Sequence, residues 1–221
     1  MASIDAVAVE GDTVAAQPDS ASTKLESPTG SATHEPLPQR VLGRTGEKVP
    51  ILGLGTAPAG MGMGDSDAIA LFESAIDQGV TYIDTAPGYE RAQKQLSQIL
   101  PRRRDEIFLV TKTNTSDRKE AILKLEEALR ELNTDAVDLV YVHSMGHQDT
   151  DQVLSSEGAL AGLQEAQRRG LTRYIGVTGH NVPHRVQRVV EEADIDVIMI
   201  ALNFADRLTY AFDQSVLPAA V

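Results

Sequence analysis

Four residues of this chain could together polarise and protonate a carbonyl group: Asp84, Tyr89, Lys112 and His143. The phenol of Tyr89 is the candidate acid. A phenol ordinarily ionises at about pH 10, which makes it a reluctant donor at neutral pH. A neighbouring ammonium favours the phenolate and so eases the transfer; Lys112 can supply it, and Asp84 can hold Lys112 in place by a charge-assisted hydrogen bond. His143 can donate a hydrogen bond to a carbonyl oxygen and fix its orientation. Such a set lacks only a source of hydride.

The elements that must position these side chains follow from hydropathy. Short apolar runs, most of them rich in Val and Ile, stand at Pro50–Gly55, Val80–Thr85, Glu106–Thr113, Val137–His143, Arg173–Thr178 and Asp196–Leu202. Each is too short for a core helix and reads as a buried strand. Between them lie helical patterns. Asp65-Ser-Asp67 offers N-cap candidates for a helix over Ala68–Gln78, with Leu71, Ala75 and Ile76 on one face and Gly79 at its end. Ser116-Asp117 opens a helix running to Leu132, Glu157–Arg169 stops at Gly170, and His184–Ala193 follows Pro183. Strand starts recur about every 30 residues, so repeated βα units predict a parallel sheet, either a barrel or a doubly wound sheet.

In such a sheet all C-terminal strand ends share one rim. Asp84, Lys112 and His143 close three consecutive strands, so they must converge, and gathering an Asp, a Lys and a His without purpose would be costly. Tyr89 follows Asp84 across Pro87-Gly88, a turn that can swing the phenol back over the rim.

Composition narrows the class. There is no Trp and few aromatics, which predicts an aliphatic core, and no Cys, which excludes disulfides and thiolate metal sites. A net charge of −12 argues against nucleic acid or an anionic membrane as partner. No apolar run approaches the roughly 20 residues that span a bilayer. The N-terminal residues carry neither a secretory nor a transit signal, so a cytoplasmic location is expected. Residues 1–37, rich in Ala, Ser, Thr, Asp, Glu and Pro, are expected to be a disordered tail, and 38–221 a single domain that opens with a capping hairpin over Gln39–Ile51.

Leu52-Gly-Leu-Gly-Thr56, Tyr82-Ile-Asp-Thr-Ala-Pro-Gly-Tyr89, Leu109-Val-Thr-Lys112, Asp138-Leu-Val-Tyr-Val-His143 and Tyr174-Ile-Gly-Val-Thr178 resemble, in this order, the successive motifs of the aldo-keto reductase family. The resemblance runs from Val41 to the C-terminus. It implies a (β/α)8 TIM-type barrel and NADPH-dependent reduction of an aldehyde or ketone to an alcohol. By position, Tyr89 would be the proton donor, Lys112 and Asp84 its tuning pair, and His143 the residue that orients the carbonyl. Gly55, Thr56, Asp84 and Thr178 would lie along the nicotinamide half of NADP(H). Small carbonyl compounds are the implied substrates.

Several features depart from the family pattern. Only six βα units are present where a closed barrel has eight, so the chain is expected to be part of a longer reductase with open edges at its first and sixth strands. A non-catalytic, nucleotide-binding barrel subunit is the competing reading. Met199 stands where many members carry an amide, Thr178-Gly-His-Asn181 replaces a Ser-Asn pair, and Glu90 follows the Tyr where Gly is common. Gly60-Met-Gly-Met-Gly64 lacks the spacing of a dinucleotide loop and reads as a flexible βα loop near the substrate. The pairs His143/His147 and His180/His184 do not fall on helix faces, so no metal site is expected. Arg102-Arg-Arg104 reads as a solvated helix end.

Overall fold

The computed structural model describes residues 36–220. All but the last two residues of the expected disordered tail fall outside them. An antiparallel hairpin, β1 (Gln39–Val41) and β2 (Lys48–Pro50), comes first. Then follow β3 (Gly53–Gly55), α1 (Ala57–Gly62), α2 (Asp65–Asp77), β4 (Tyr82–Asp84), α3 (Ala92–Leu96), α4 (Leu100–Arg103) and β5 (Phe108–Thr113). The second half comprises α5 (Arg118–Leu132), β6 (Val137–Val142), α6 (Thr150–Leu154), α7 (Ala159–Arg168), β7 (Thr172–Gly179), α8 (Pro183–Glu192), β8 (Val197–Ile200) and α9 (Phe212–Ala219).

Strands β3 to β8 pair in parallel and in sequence order. That order decides between the two architectures left open above, because a doubly wound sheet reverses its strand order at a switch point and this one does not. The sheet curls into a half-barrel and buries a separate apolar cluster on each face. On the convex side Ile83, Leu109, Val140, Val142, Ile175 and Val177 pack under the helices. On the concave side Phe108, Val110, Leu139, Tyr141 and Val197 form a second cluster, joined by Tyr82, Tyr174 and Met199. Alternation with a period of two therefore sends every other strand residue into the concave face, the parity on which Asp84, Lys112 and Thr178 also lie.

The hairpin closes the N-terminal end of the half-barrel. Val49 joins the concave cluster, and the Tyr174 hydroxyl donates to Glu47 (2.9 Å) with Thr45 O a second acceptor within reach (3.2 Å). Apolar side chains stand exposed beside both sheet edges, Ile51 and Leu52 before β3 and Leu202, Phe204 and Leu208 after β8. Among the described residues no helix is long and apolar enough to cross a membrane.

Local signals hold at most helix ends. Asp117 caps α5 by accepting from Glu120 N (2.9 Å). Gly79 and Gly170, at φ of 86° and 77°, end α2 and α7, and in each case the glycine amide and the one after it fold back onto the last turn, as in Val80 N to Ala75 O and Leu171 N to Ala166 O.

Three expectations need correction. Helix α2 starts at Asp65, not Ala68, with Gly64 at its cap. Its inward stripe is Ala68, Phe72 and Ile76, while Leu71 is 41% exposed. Residues 71 and 75 form a row one position round the helix, and the larger aromatic takes the core. The arginine cluster does close α4, with Arg102 largely exposed, but all three of its side chains are paired. Arg102 pairs with Glu73, Arg103 with Asp77 and Glu106, and Arg104 with Asp138 (2.9 Å) while donating to Ile107 O and Ala136 O. Guanidinium groups with five donors bind helix ends to strand ends here. The glycine-rich run, finally, is largely helical. Pro58 presets the first turn of α1, and Gly60 N donates to Thr56 O (3.0 Å).

Candidate active site

Asp84 is the last residue of β4, Lys112 lies near the end of β5, and His143 directly follows β6, its amide held by Thr113 O (2.9 Å). Register brings them together: Asp84 is level with Val110 on β5, and Lys112 with Tyr141 on β6. The Lys112 side chain is 2% exposed. Its ammonium donates to Asp84 Oδ1 (2.5 Å) and to Thr85 O (3.0 Å), two acceptors that replace the water it has lost.

Tyr89 returns to the rim through the turn at Pro87-Gly88, closed by Tyr89 N donating to Ala86 O (3.0 Å). Lys112 Nζ then sits 4.8 Å from the centroid of the Tyr89 ring. The Tyr89 and His143 rings stand edge to face at 6.3 Å. All four residues singled out in the sequence thus meet at one rim.

Two features that the sequence reading missed hold this tyrosine in place. A Cβ on Gly60 would lie 2.0 Å from Tyr89 O and 2.7 Å from Ala92 N, so only glycine lets α1 seat the Tyr89 segment. The Asp65 carboxylate, placed inside α2 by the early helix start, accepts from Arg91 Nη1 (2.8 Å) and Gln95 Nε2 (2.9 Å) and clamps the residues that follow. A glycine run looks the same in a loop as at a close approach, so neither role had a sequence signal. Glu90 did have one, since the resemblance implied Gly at that position: its φ is +48°, the left-handed region that favours glycine.

The electrostatics follow burial. Loss of water pushes the Asp84 carboxyl up, and the adjacent Lys112 ammonium pulls the other way; Asp84 Oδ2 is buried without a hydrogen-bond partner among the described residues. The His143 imidazole is pushed down to about 4, first by burial and then by the charge of Lys112, with smaller contributions from His180 and His147. It is therefore neutral over the physiological range, able to donate from one nitrogen. His180 lies 6.3 Å from His143, ring to ring.

The expected cofactor positions divide. Gly55 is level with Asp84 and open, with nothing within 4 Å of where a Cβ would stand. Thr56 and Thr178 are buried and spend their hydroxyls on the chain. Thr56 Oγ1 donates to Asp84 O (3.0 Å), and Thr178 Oγ1 accepts from Ser144 N (2.8 Å). Met199 points into the concave face beside Thr178. The arrangement can hold a carbonyl oxygen between a phenol and a neutral imidazole, with a fixed cation behind the phenol.

Comparison with known proteins is consistent with that chemistry. Residues 51–215 match the model of the aldo/keto reductase family. D-threo-aldose 1-dehydrogenase of a Pseudomonas species is 30% identical over 192 residues, covering 71% of this chain and 57% of that protein. A thermostable aldo-keto reductase solved with the inhibitor epalrestat superposes with a TM-score of 0.69 at 30% identity, over 82% of this chain and 67% of that one. The Bombyx mori aldo-keto reductase in complex with NADP gives 0.63 at 26% identity, over 77% and 60% of the two chains. The chain spans between 48% and 66% of the length of the first curated relatives it matches.

Proposed function

Because the chain belongs to the aldo/keto reductase family, we propose that its tetrad serves the NADPH-dependent reduction of an aldehyde or ketone to an alcohol. One observation carries the reading: a buried ammonium fixed at 2.5 Å from Asp84 and held 4.8 Å from the Tyr89 ring, with a neutral His143 edge to face with that ring at 6.3 Å.

The residues fit a nicotinamide. Asp84 Oδ2 is a buried acceptor with no hydrogen-bond partner among the described residues, suited to an amide N–H, and Gly55 beside it leaves room for a flat ring. Gly55 and Asp84 would hold that half of the cofactor, with Thr56 fixing the main chain of Asp84 and Thr178 fixing Ser144. When bound, the cofactor supplies the hydride.

The chain's own residues do the rest. His143 donates a hydrogen bond to the carbonyl oxygen and orients it. Tyr89 gives its phenolic proton to the same oxygen as negative charge develops there, leaving a phenolate. Lys112 faces that phenolate as a fixed cation that needs no reorganisation, and Asp84 keeps it from turning away. Solvent then restores the proton to Tyr89.

The test pairs binding with turnover: quenching of NADPH fluorescence by the chain, and NADPH oxidation with a reactive aldehyde. Tyr89→Phe should keep the quenching and lose turnover by about 10²- to 10⁴-fold, the usual worth of a positioned proton donor. Turnover that survives this substitution unchanged would refute the mechanism. Quenching without oxidation in the unmodified chain would favour the non-catalytic, nucleotide-binding reading.

A further inference from the structure

A cavity of about 510 Å³ has Tyr89, Lys112 and His143 together in its wall. Its size falls in the range of small-molecule sites, roughly 300–1,000 Å³. From the tetrad it runs along α5. Met61 and Ala128 contribute apolar surface, and Lys124, Glu127 and Glu131 carry its outer side.

The charges in that wall do not cancel. Lys112 is matched by Asp84 at 2.5 Å and Lys124 by Glu120 at 3.2 Å. Glu127 has only a loose partner, Arg130 at 4.0 Å, and among the described residues Glu131 has no ion-pair partner. A ligand reaching the tetrad along this cavity therefore meets one carboxylate without an ion-pair partner among the described residues, Glu131, a second, Glu127, that is only loosely paired, and no cation without a carboxylate partner. Selectivity of this kind works by repelling the wrong partner as much as by attracting the right one.

We infer that this cavity receives the body of the carbonyl substrate and selects a neutral or cationic chain, rejecting substrates that carry a carboxylate or phosphate. The inference rests on the reductase reading above, and it names the substrate class for that same site.

The test uses the full chain and three matched probes: benzaldehyde, 4-carboxybenzaldehyde and 4-(trimethylammonio)benzaldehyde. Specificity (kcat/KM with NADPH) is measured alongside binding of the corresponding benzyl alcohols by saturation-transfer NMR, which needs no turnover. The neutral and cationic probes should be favoured over the anionic one by about tenfold at low salt, the size expected of one or two partly screened charges. That preference should shrink towards unity in high salt and in the double variant Glu127→Gln/Glu131→Gln. Both positions are exposed and outside the tetrad, so folding should survive.

An anionic probe that binds or reacts as well as the others would overturn the inference. So would a preference that the double variant leaves intact, or binding of none of the alcohols. Selective binding without turnover would uphold the selectivity while sinking the reductase reading. Turnover without selectivity would do the reverse.

Discussion

The depressed basicity of His143 should be visible as an acid sensitivity of the whole fold. In the unfolded chain this imidazole takes up its proton near its ordinary value of 6.5, whereas in the folded chain it resists until about 4. Because the folded-state value is the lower one, stability contributed by neutral His143 is fully present above 6.5 and is lost as pH falls towards 4. At pH 5 the unfolded state has gained about 1.5 pH units of protonation free energy that the folded state has not, or about 2 kcal/mol at 1.36 kcal/mol per unit. Solvent reaching the half-buried ring reduces this towards about 1 kcal/mol.

The assay is urea unfolding of the wild type and of His143→Asn at pH 8 and pH 5. Between the two conditions the wild type should lose about 1–2 kcal/mol more than the variant, or about 2–8 °C in melting temperature for a chain of this size. The asparagine keeps a donor on the rim but cannot take up a proton. Parallel loss of stability in both proteins would refute the argument, since the imidazole would then not be shielded by burial and Lys112.

Two substitutions probe how Tyr89 is seated. Gly60→Ala forces a methyl group to within 2.0 Å of Tyr89 O, so the Tyr89 segment must move; turnover should fall by about tenfold or more, with a loss of stability of about 1–3 kcal/mol in thermal melts. Glu90→Gly removes a side chain from a left-handed backbone position that costs an ordinary residue about 1–2 kcal/mol, an advantage partly cancelled by glycine's greater freedom when unfolded. Chemical denaturation should show a net change between zero and about 1 kcal/mol in favour of the glycine variant.

The parts of this protein that could be read in advance are those where chemistry and periodicity coincide. The longer strand runs were visible because both faces of the sheet are buried there, which makes Val137–Val142 and the first half of Phe108–Thr113 largely apolar. The tetrad was visible because Asp84, Lys112 and His143 are polar residues at the ends of such runs, and rim placement needs only strand polarity. What escaped depends on distance between segments. Phe72 rather than Leu71 enters the core because of how α2 rests on the sheet, and Arg104 finds Asp138 across 34 positions of chain. Gly60 resembled loop glycine until the Tyr89 backbone was placed against it.

The concave face gives the chain an optical signature of its own. The chain contains no tryptophan and five tyrosines. Two of these, Tyr82 and Tyr174, flank Phe108 in a continuous stack at 5.3 and 6.3 Å, while Tyr141 holds the Tyr82 hydroxyl at 3.3 Å. Near-ultraviolet circular dichroism should therefore arise mainly from this rigid column beneath the tetrad. Its loss would report loosening of the strand register there, with no indole signal to obscure it. Reduced nicotinamide absorbs at longer wavelength, so one cuvette could follow the order of the half-barrel and the redox state of the proposed cofactor together.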